Sequence, residues 1–306
     1  NPLLAAGAVL GVTFGFTDTI NTYKNFEAAM SQVKSISGAT EEQFAKLTAK
    51  AKEMGATTKF TAKESADAFN YMAMAGWDSE KMLDGIEGIL NLAAASGEDL
   101  GKTSDIVTDA LTAFRLKASD ATHFSDVLAQ TAASANTNVG LMGETFKYVG
   151  AMAGTLGYSI EDVGLMVGLM AGNSIKGSMA GTQLNSIFTR LSTNTHGARD
   201  AIKELGINFF DSTGKARDLS DIIDELRAAT AGYTDEQKVN LANTIAGQRA
   251  QAGLLAILNT SQEDYDKLAR SINNADGAAR RMAAIRLDNL SGDITLFQSA
   301  LDGLKI

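Results

Sequence analysis

Catalysis and metal binding need groups that ligate, attack or move protons, and this sequence is poor in them. The 306 residues include no cysteine and two histidines, His123 and His196. Without cysteine there is no disulfide, no thiolate metal site and no thiol nucleophile. Neither histidine belongs to an HExxH-type pair, so a zinc site or a Ser-His-Asp triad has nothing to build on. Paired acids occur at Glu41-Glu42, Glu161-Asp162 and Asp235-Glu236. Each pair falls at a predicted helix start, where carboxylates complement the helix dipole, and that reading outweighs a general acid/base pair. Gly177-Ser178-Met179-Ala180-Gly181-Thr182 opens a predicted helix and could offer free N–H groups to a phosphate. It lacks the Lys-Ser/Thr ending of a P-loop, so a tight turn between packed helices is the better reading. Arg280-Arg281 with Arg286 is too short for a nucleic-acid patch and reads as a solvated helix face. A net charge of -9 also argues against a dedicated, sequence-specific nucleic-acid binder. The expectation is a non-enzyme with no catalytic residue, no cofactor and no metal ligand.

The elements that would position any site are helical. With 45 % apolar and 21 % charged residues the chain has the composition of a folded protein. The single proline, Pro2, leaves the remaining chain uninterrupted, where average usage would give about 15 prolines. Yet there are 29 glycines, and glycine inside a helix costs about 1 kcal/mol relative to alanine. Many short helices closed by glycine reconcile the two counts. Thr40-Glu41-Glu42-Gln43 and Thr61-Ala62-Lys63-Glu64 fit capping boxes, each followed by apolar residues at a 3.6 period. Further helices are predicted at about 78–95, 99–116 and 119–135, with Gly97 closing the first.

Some glycines instead form stripes at four-residue spacing, Gly7, Gly11 and Gly15 near the start and Gly164, Gly168 and Gly172 in the middle. Small residues at that spacing let helices approach closely. They pack on protein in one reading and insert in a membrane in the other. The uncharged run from Leu3 to Phe16 would span about 21 Å as a helix, short of the roughly 30 Å hydrocarbon core. One strand signal, about 207–219, reads as a small β-hairpin turning at Asp211-Ser212-Thr213-Gly214. Three corners resemble one another: Gly76-Trp77-Asp78, Gly157-Tyr158-Ser159 and Gly232-Tyr233-Thr234. Their separations, 81 and 75 residues, are too long for a standard solenoid period, so they read as a recurring turn with an aromatic staple. From Leu287 onward, Leu287, Leu290, Ile294, Phe297, Leu301 and Leu304 follow a 3.5-residue period, the a/d seam of a coiled coil. A single amphipathic helix on the protein's own surface is the competing reading.

Several segments together resemble the core region of phage tail tape measure proteins, the TP901-type group. They are Phe26-Glu27-Ala28-Ala29-Met30 with Val33; Ala51-Lys52-Glu53-Met54-Gly55 through Thr58; Ala73-Met74-Ala75-Gly76-Trp77; and Leu90-Asn91-Leu92-Ala93-Ala94-Ala95. Gly177 to Thr182, Leu205-Gly206-Ile207 with Asp211 and Gly214, and Ile245-Ala246-Gly247-Gln248-Arg249-Ala250 complete the set. Their order and spacing carry the resemblance. Relatives often have a proline after Leu191 that is missing here. The resemblance implies a mostly helical virion or prophage tail protein that fills the tail-tube lumen, sets tube length as a ruler and leaves ahead of the DNA. It implies tail-tube proteins, tail-tip or baseplate hub proteins, tail assembly chaperones and copies of itself as partners. Some such proteins aid genome passage across the host envelope, which makes a membrane channel the alternative function and the host membrane a possible partner. Others carry a cell-wall hydrolase whose motifs are not found here.

The expected fold class is all-α, a compact module of short glycine-terminated helices with one small hairpin and a C-terminal coiled-coil helix. Residues 1–38 are expected to form an apolar or amphipathic helix, 39–200 a helical core, 201–280 the hairpin with further helices, and 281–306 the start of a rod. The seam would make the assembly a small homo-oligomer, a trimer being the first expectation, although Leu, Ile and Phe at a and d suit several states. The chain starts without Met and its seam runs up to Ile306, which reads as a piece of a longer protein.

Overall fold

A chain of short helices must satisfy the free N–H and C=O groups at every helix end, and the local sequence does this repeatedly. The computed structural model describes residues 16–306; the Gly7, Gly11 and Gly15 stripe lies outside the described residues. Sixteen α-helices follow: α1 (Phe16–Ser37), α2 (Glu41–Thr57), α3 (Ala62–Met74), α4 (Ser79–Ser96), α5 (Leu100–Ala113), α6 (Ala121–Ser134), α7 (Val139–Leu156) and α8 (Ile160–Gly172). Then come α9 (Gly177–Thr193), α10 (Ala198–Glu204), α11 (Leu219–Thr230), α12 (Asp235–Ala246), α13 (Gln251–Asn259), α14 (Gln262–Asn273), α15 (Ala278–Leu287) and α16 (Leu290–Gly303). The all-α expectation holds. Both predicted capping boxes form, at Thr40 with Gln43 and at Thr61 with Glu64. Gly55 lies inside α2, where an added Cβ would meet the Ala62 backbone.

The helices alternate between two layers. Along the first, α1 packs on α3, α3 on α5, α5 on α7, α7 on α9 and α9 on α12. Along the second, α2 packs on α4, α4 on α6, α6 on α8 and α8 on α13. The chain then returns along the outer side of the second layer: α14 lies on α8 and α6, α15 on α6 and α4, and α16 on α2. The second layer is therefore covered on both sides, and its α8 is buried at all but two of its thirteen positions.

The array has a period that the sequence reading missed. Corners from the first layer to the second carry a left-handed residue at Gly38, Gly76, Arg115 and Gly157, spaced by 38, 39 and 42 residues. At three of them the next residue donates its N–H to a carbonyl five residues back: Trp77 to Met72, Leu116 to Leu111 and Tyr158 to Ala153. This is the Schellman hydrogen bond that closes a helix before it reverses. On the opposite side, the residues before α3, α5, α7 and α9 are Thr61, Asp99, Asn138 and Lys176, spaced by 38, 39 and 38. The 81-residue echo between Trp77 and Tyr158 is thus two hairpin units, with the intervening corner disguised by Arg115 in place of glycine. The third echo is of another kind, because it joins α11 to α12 and its Gly232 lacks the left-handed backbone of the others.

Between α10 and α11 the expected hairpin takes a minimal form, a single antiparallel bridge between Phe210 and Ala216. Asp211 N–H donates to the Lys215 carbonyl at 2.8 Å and Arg217 N–H to the Phe209 carbonyl at 3.0 Å. The Asp211 carboxylate accepts from the N–H groups of Thr213 and Lys215, at 2.8 and 3.0 Å. A turn held this way needs no further ladder, and buried Ile207 and Phe209 anchor it to the helices.

The seam also differs from its expectation. It is not one helix: α15 ends at Leu287, and Asn289 caps a new helix, its side chain accepting from the Gly292 N–H at 3.0 Å. The hydroxyl of Ser299, fully buried, donates to the Gly55 and Phe60 carbonyls at 2.6 and 2.8 Å, which seats α16 on the corner between α2 and α3. A capping residue with a close tertiary seat overrides an a/d pattern that extends over only three heptads.

Close approach, not flexibility, explains most of the glycines inside the described helices. A Cβ at Gly154 of α7 would meet the Ala113 carbonyl oxygen and, at 2.8 Å, the Phe114 Cα. Gly172, by contrast, faces open space. Gly154→Val is expected to lower the unfolding free energy by about 1–3 kcal/mol, while Gly172→Ala leaves it unchanged or raises it by up to about 1 kcal/mol. Urea denaturation followed by circular dichroism reads both.

Candidate functional site

The residues with chemical capacity stand at structural joints. Glu41 and Glu42, Glu161 and Asp162, and Asp235 and Glu236 occupy the first turns of α2, α8 and α12. Asp162 is mostly buried, and its carboxyl is pushed above its usual range by desolvation, against the opposing hydrogen bonds from Ser220 and Ser159. His123 lies between two carboxylates, with Nε2 2.5 Å from Glu161 and Nδ1 3.0 Å from Asp276. His196 is exposed in the turn before α10. Among the described residues no group of three or more His, Asp or Glu side chains is placed to hold a metal ion. Gly177 to Thr182 forms the tight start of α9, where Gly181 lies against the Thr145 carbonyl and Thr145 Oγ1 donates to the Gly177 carbonyl at 3.0 Å.

Arginines serve a role that the sequence did not disclose. Arg190 of α9 donates from Nε to the Ile245 carbonyl (3.0 Å) and from Nη2 to that of Thr244 (2.8 Å), and Ser186 donates to that of Ala246 (3.0 Å). These are the last carbonyls of α12. Arg227, buried in α11, likewise donates to Ile257 (2.5 Å) and Thr260 (2.8 Å) at the end of α13, with its guanidinium over the Tyr265 ring. Arg199 reaches the Ser192 carbonyl and Arg286 that of Ala95, at the ends of α9 and α4. A guanidinium at a helix C-terminus pairs free carbonyls and complements the dipole's negative end. The basic run is exposed at Arg280, Arg281 and Arg286, as a solvated helix face would be, and Arg281 also binds the Asp276 carbonyl at 2.6 Å. The available signal was a lone arginine within an apolar helical face, as in Ile187-Phe188-Thr189-Arg190-Leu191 and Leu226-Arg227.

Asp126 was missed for the same reason. This carboxylate, 4 % exposed on α6, accepts from the Gly277 N–H (2.7 Å) and the Ala279 N–H (2.9 Å) at the start of α15. It fastens the returning helices to the array.

Two candidate assembly features remain. Of the seam residues, Leu290, Ile294, Phe297 and Leu304 are exposed, while Leu287 and Leu301 are half-buried. In the middle stripe, Gly164 sits on Thr131 and Val127 of α6, Gly168 on Leu268 of α14 and Ala135, and Gly172 on neither. A groove of about 720 Å³ opens beside Gly168 and Gly172, where the C-terminal ends of α6, α8 and α13 meet α14. No helix among the described residues is long and apolar enough to cross a membrane. The expectation of a membrane channel is therefore without support from the helices seen.

Against this geometry, a family model described as phage-related minor tail protein matches residues 48–247. The chain belongs to the phage-related minor tail protein family. The minor-tail match begins within α2 and ends at Gly247, so it covers most of the two-layer array and stops before the returning helices. A tape measure protein of Pneumococcus phage Dp-1 is 37 % identical over 94 % of this chain and 25 % of its own length. A probable tape measure protein of Escherichia phage P2 is 29 % identical over 99 % of the chain and 37 % of its own length. One of Clostridium phage phiCD119 is 21 % identical over 99 % and 33 % respectively. The chain thus spans about a quarter to just over a third of the curated relatives it matches. No solved structure matches it significantly.

Replacing Arg227 by Met keeps the aliphatic stem but leaves two carbonyls at the end of α13 unpaired. Arg227→Met is expected to cost about 2–4 kcal/mol of stability, against less than about 0.5 kcal/mol for the exposed Arg280→Ala, both measured by urea unfolding.

Proposed function

We propose that this chain is the folded module of a phage tail tape measure protein, a structural component that helps set tail-tube length, occupies the tube lumen and leaves ahead of the DNA. The observation that carries this reading is that proteins named as tape measures align over nearly all of the chain, while the family match follows the hairpin array. The geometry supports a division of labour. The longest helix among the described residues, α1, has 22 residues and reaches about 33 Å. Even fully helical, 306 residues would reach only about 460 Å. A folded array contributes far less length than that, so the ruler proper lies in the remaining length that the relatives possess. The module sits at one end of it, where it contacts tail-tube and tail-tip proteins, and assembly chaperones guard the long chain before it enters the tube.

The module's self-association runs through the exposed face of α16. Leu290, Ile294 and Phe297 keep their 3–4 spacing within that helix, and Leu304 follows seven residues on at its C-terminal cap, the pattern by which helices of two or more copies interdigitate. A trimer fits this face and a dimer fits it as well.

In-frame deletions in the segment of the full-length gene beyond this module are expected to shorten tails in proportion to the residues removed, measured on virions by electron microscopy. Unchanged tail length would refute the ruler role. For the α16 face, Leu290→Gln with Phe297→Gln is expected to leave helicity intact and shift the sedimenting species from oligomer to monomer. A parent chain that is itself monomeric at high concentration would refute the seam.

A further inference from the structure

A neutral imidazole carries one N–H and one lone-pair nitrogen, whereas the imidazolium carries two N–H donors. Both ring nitrogens of His123 face a carboxylate oxygen, Nε2 that of Glu161 in the first turn of α8 and Nδ1 that of Asp276 in the corner before α15. Only the protonated ring can donate to both. With the ring neutral, one nitrogen would present its lone pair to an anionic oxygen. We propose that His123 is a proton-operated latch that fastens the returning C-terminal helices to the hairpin array when charged and releases Asp276 when neutral.

The surroundings support the assignment. The charged groups that face this corner are Glu161 from α8, Asp276 from the loop, Arg281 of α15 on the Asp276 carbonyl, and Asp126 one turn further along α6. Asp126 binds backbone N–H groups of the same corner, so the corner has one fastening made by a backbone cap and one that needs a proton. Asp276 is 91 % exposed and Glu161 only 23 %, so Asp276 is the partner that water replaces. Burial of the ring favours its neutral form, but the hydrogen bonds and charges of Glu161 and Asp276 together outweigh it and raise the ring above the ordinary histidine value of 6.5. The stabilisation is therefore complete below that value and is lost as pH rises through the raised one. What loosens is α15, which leads directly into α16 and its exposed apolar face.

Hydrogen exchange of the α15 amides, corrected for intrinsic rates from about pH 5.5 to about pH 8.5, tests the latch. Protection in the 306-residue chain is expected to fall roughly threefold more across this range than in His123→Gln, as for a half-exposed ion pair. Equal slopes in the two would overturn the proposal. Asp276→Asn, at an exposed position that keeps its backbone carbonyl for Arg281, serves where His123→Gln fails to fold. It is expected to lower the His123 midpoint in NMR titration and to flatten the α15 profile. An unchanged midpoint, or a parent midpoint at or below 6.5, would also overturn it.

Discussion

Everything in this fold depends on ending helices well. Each of the sixteen helices among the described residues leaves unpaired N–H groups at one end and unpaired carbonyls at the other, and an unpaired buried group costs about 1–3 kcal/mol. Thr, Ser, Asp and Asn side chains cap the N-termini from within the local sequence, as at Thr40, Thr61, Asp78, Asp99, Asn138 and Ser159. Schellman bonds close several C-termini. The later helices use guanidinium groups from a neighbouring helix instead, Arg190 for α12 and Arg227 for α13. A helix ended by its own residues can reverse within three residues, which makes the hairpin array possible. A helix ended by a neighbour's arginine is tied to that neighbour.

The array follows from that economy. Units of about 40 residues reverse at Gly38, Gly76, Arg115 and Gly157, and place alternate helices in two layers. The second layer then needs cover on its outer side, because α8 is buried almost all round. The chain supplies the cover itself by returning through α14, α15 and α16. The polar fastenings of this return include Asp126 on the start of α15, Arg286 on the end of α4, Gln130 and Ser134 with Ser271 of α14, Ser299 on the corner between α2 and α3, and His123 on Asp276.

Much of this was legible in the sequence, and the limits have physical reasons. The capping boxes at Thr40 and Thr61 and the closure at Gly97 rest on neighbours within five residues, so local sequence sufficed. The 40-residue period was hidden because Arg115 adopts the left-handed conformation without being glycine. The seam does not run as one helix because Asn289 caps a new one, its side chain accepting from the Gly292 N–H. Asp126, Arg190 and Arg227 bind groups 30 or more residues away, and their roles exist only in the folded arrangement. The hairpin signal was real, but Asp211 closes the turn so tightly that one bridge is enough.

The central claim is that these residues form a closed hairpin array at one end of a tape measure and not a stretch of the ruler itself. Electron cryomicroscopy of assembled tails, read over the segment that these residues occupy, tests it most directly. The account predicts density for short helices packed side by side at about 8–10 Å spacing, confined to one end of the tube. Continuous parallel rods running along the lumen over the same residues would contradict it.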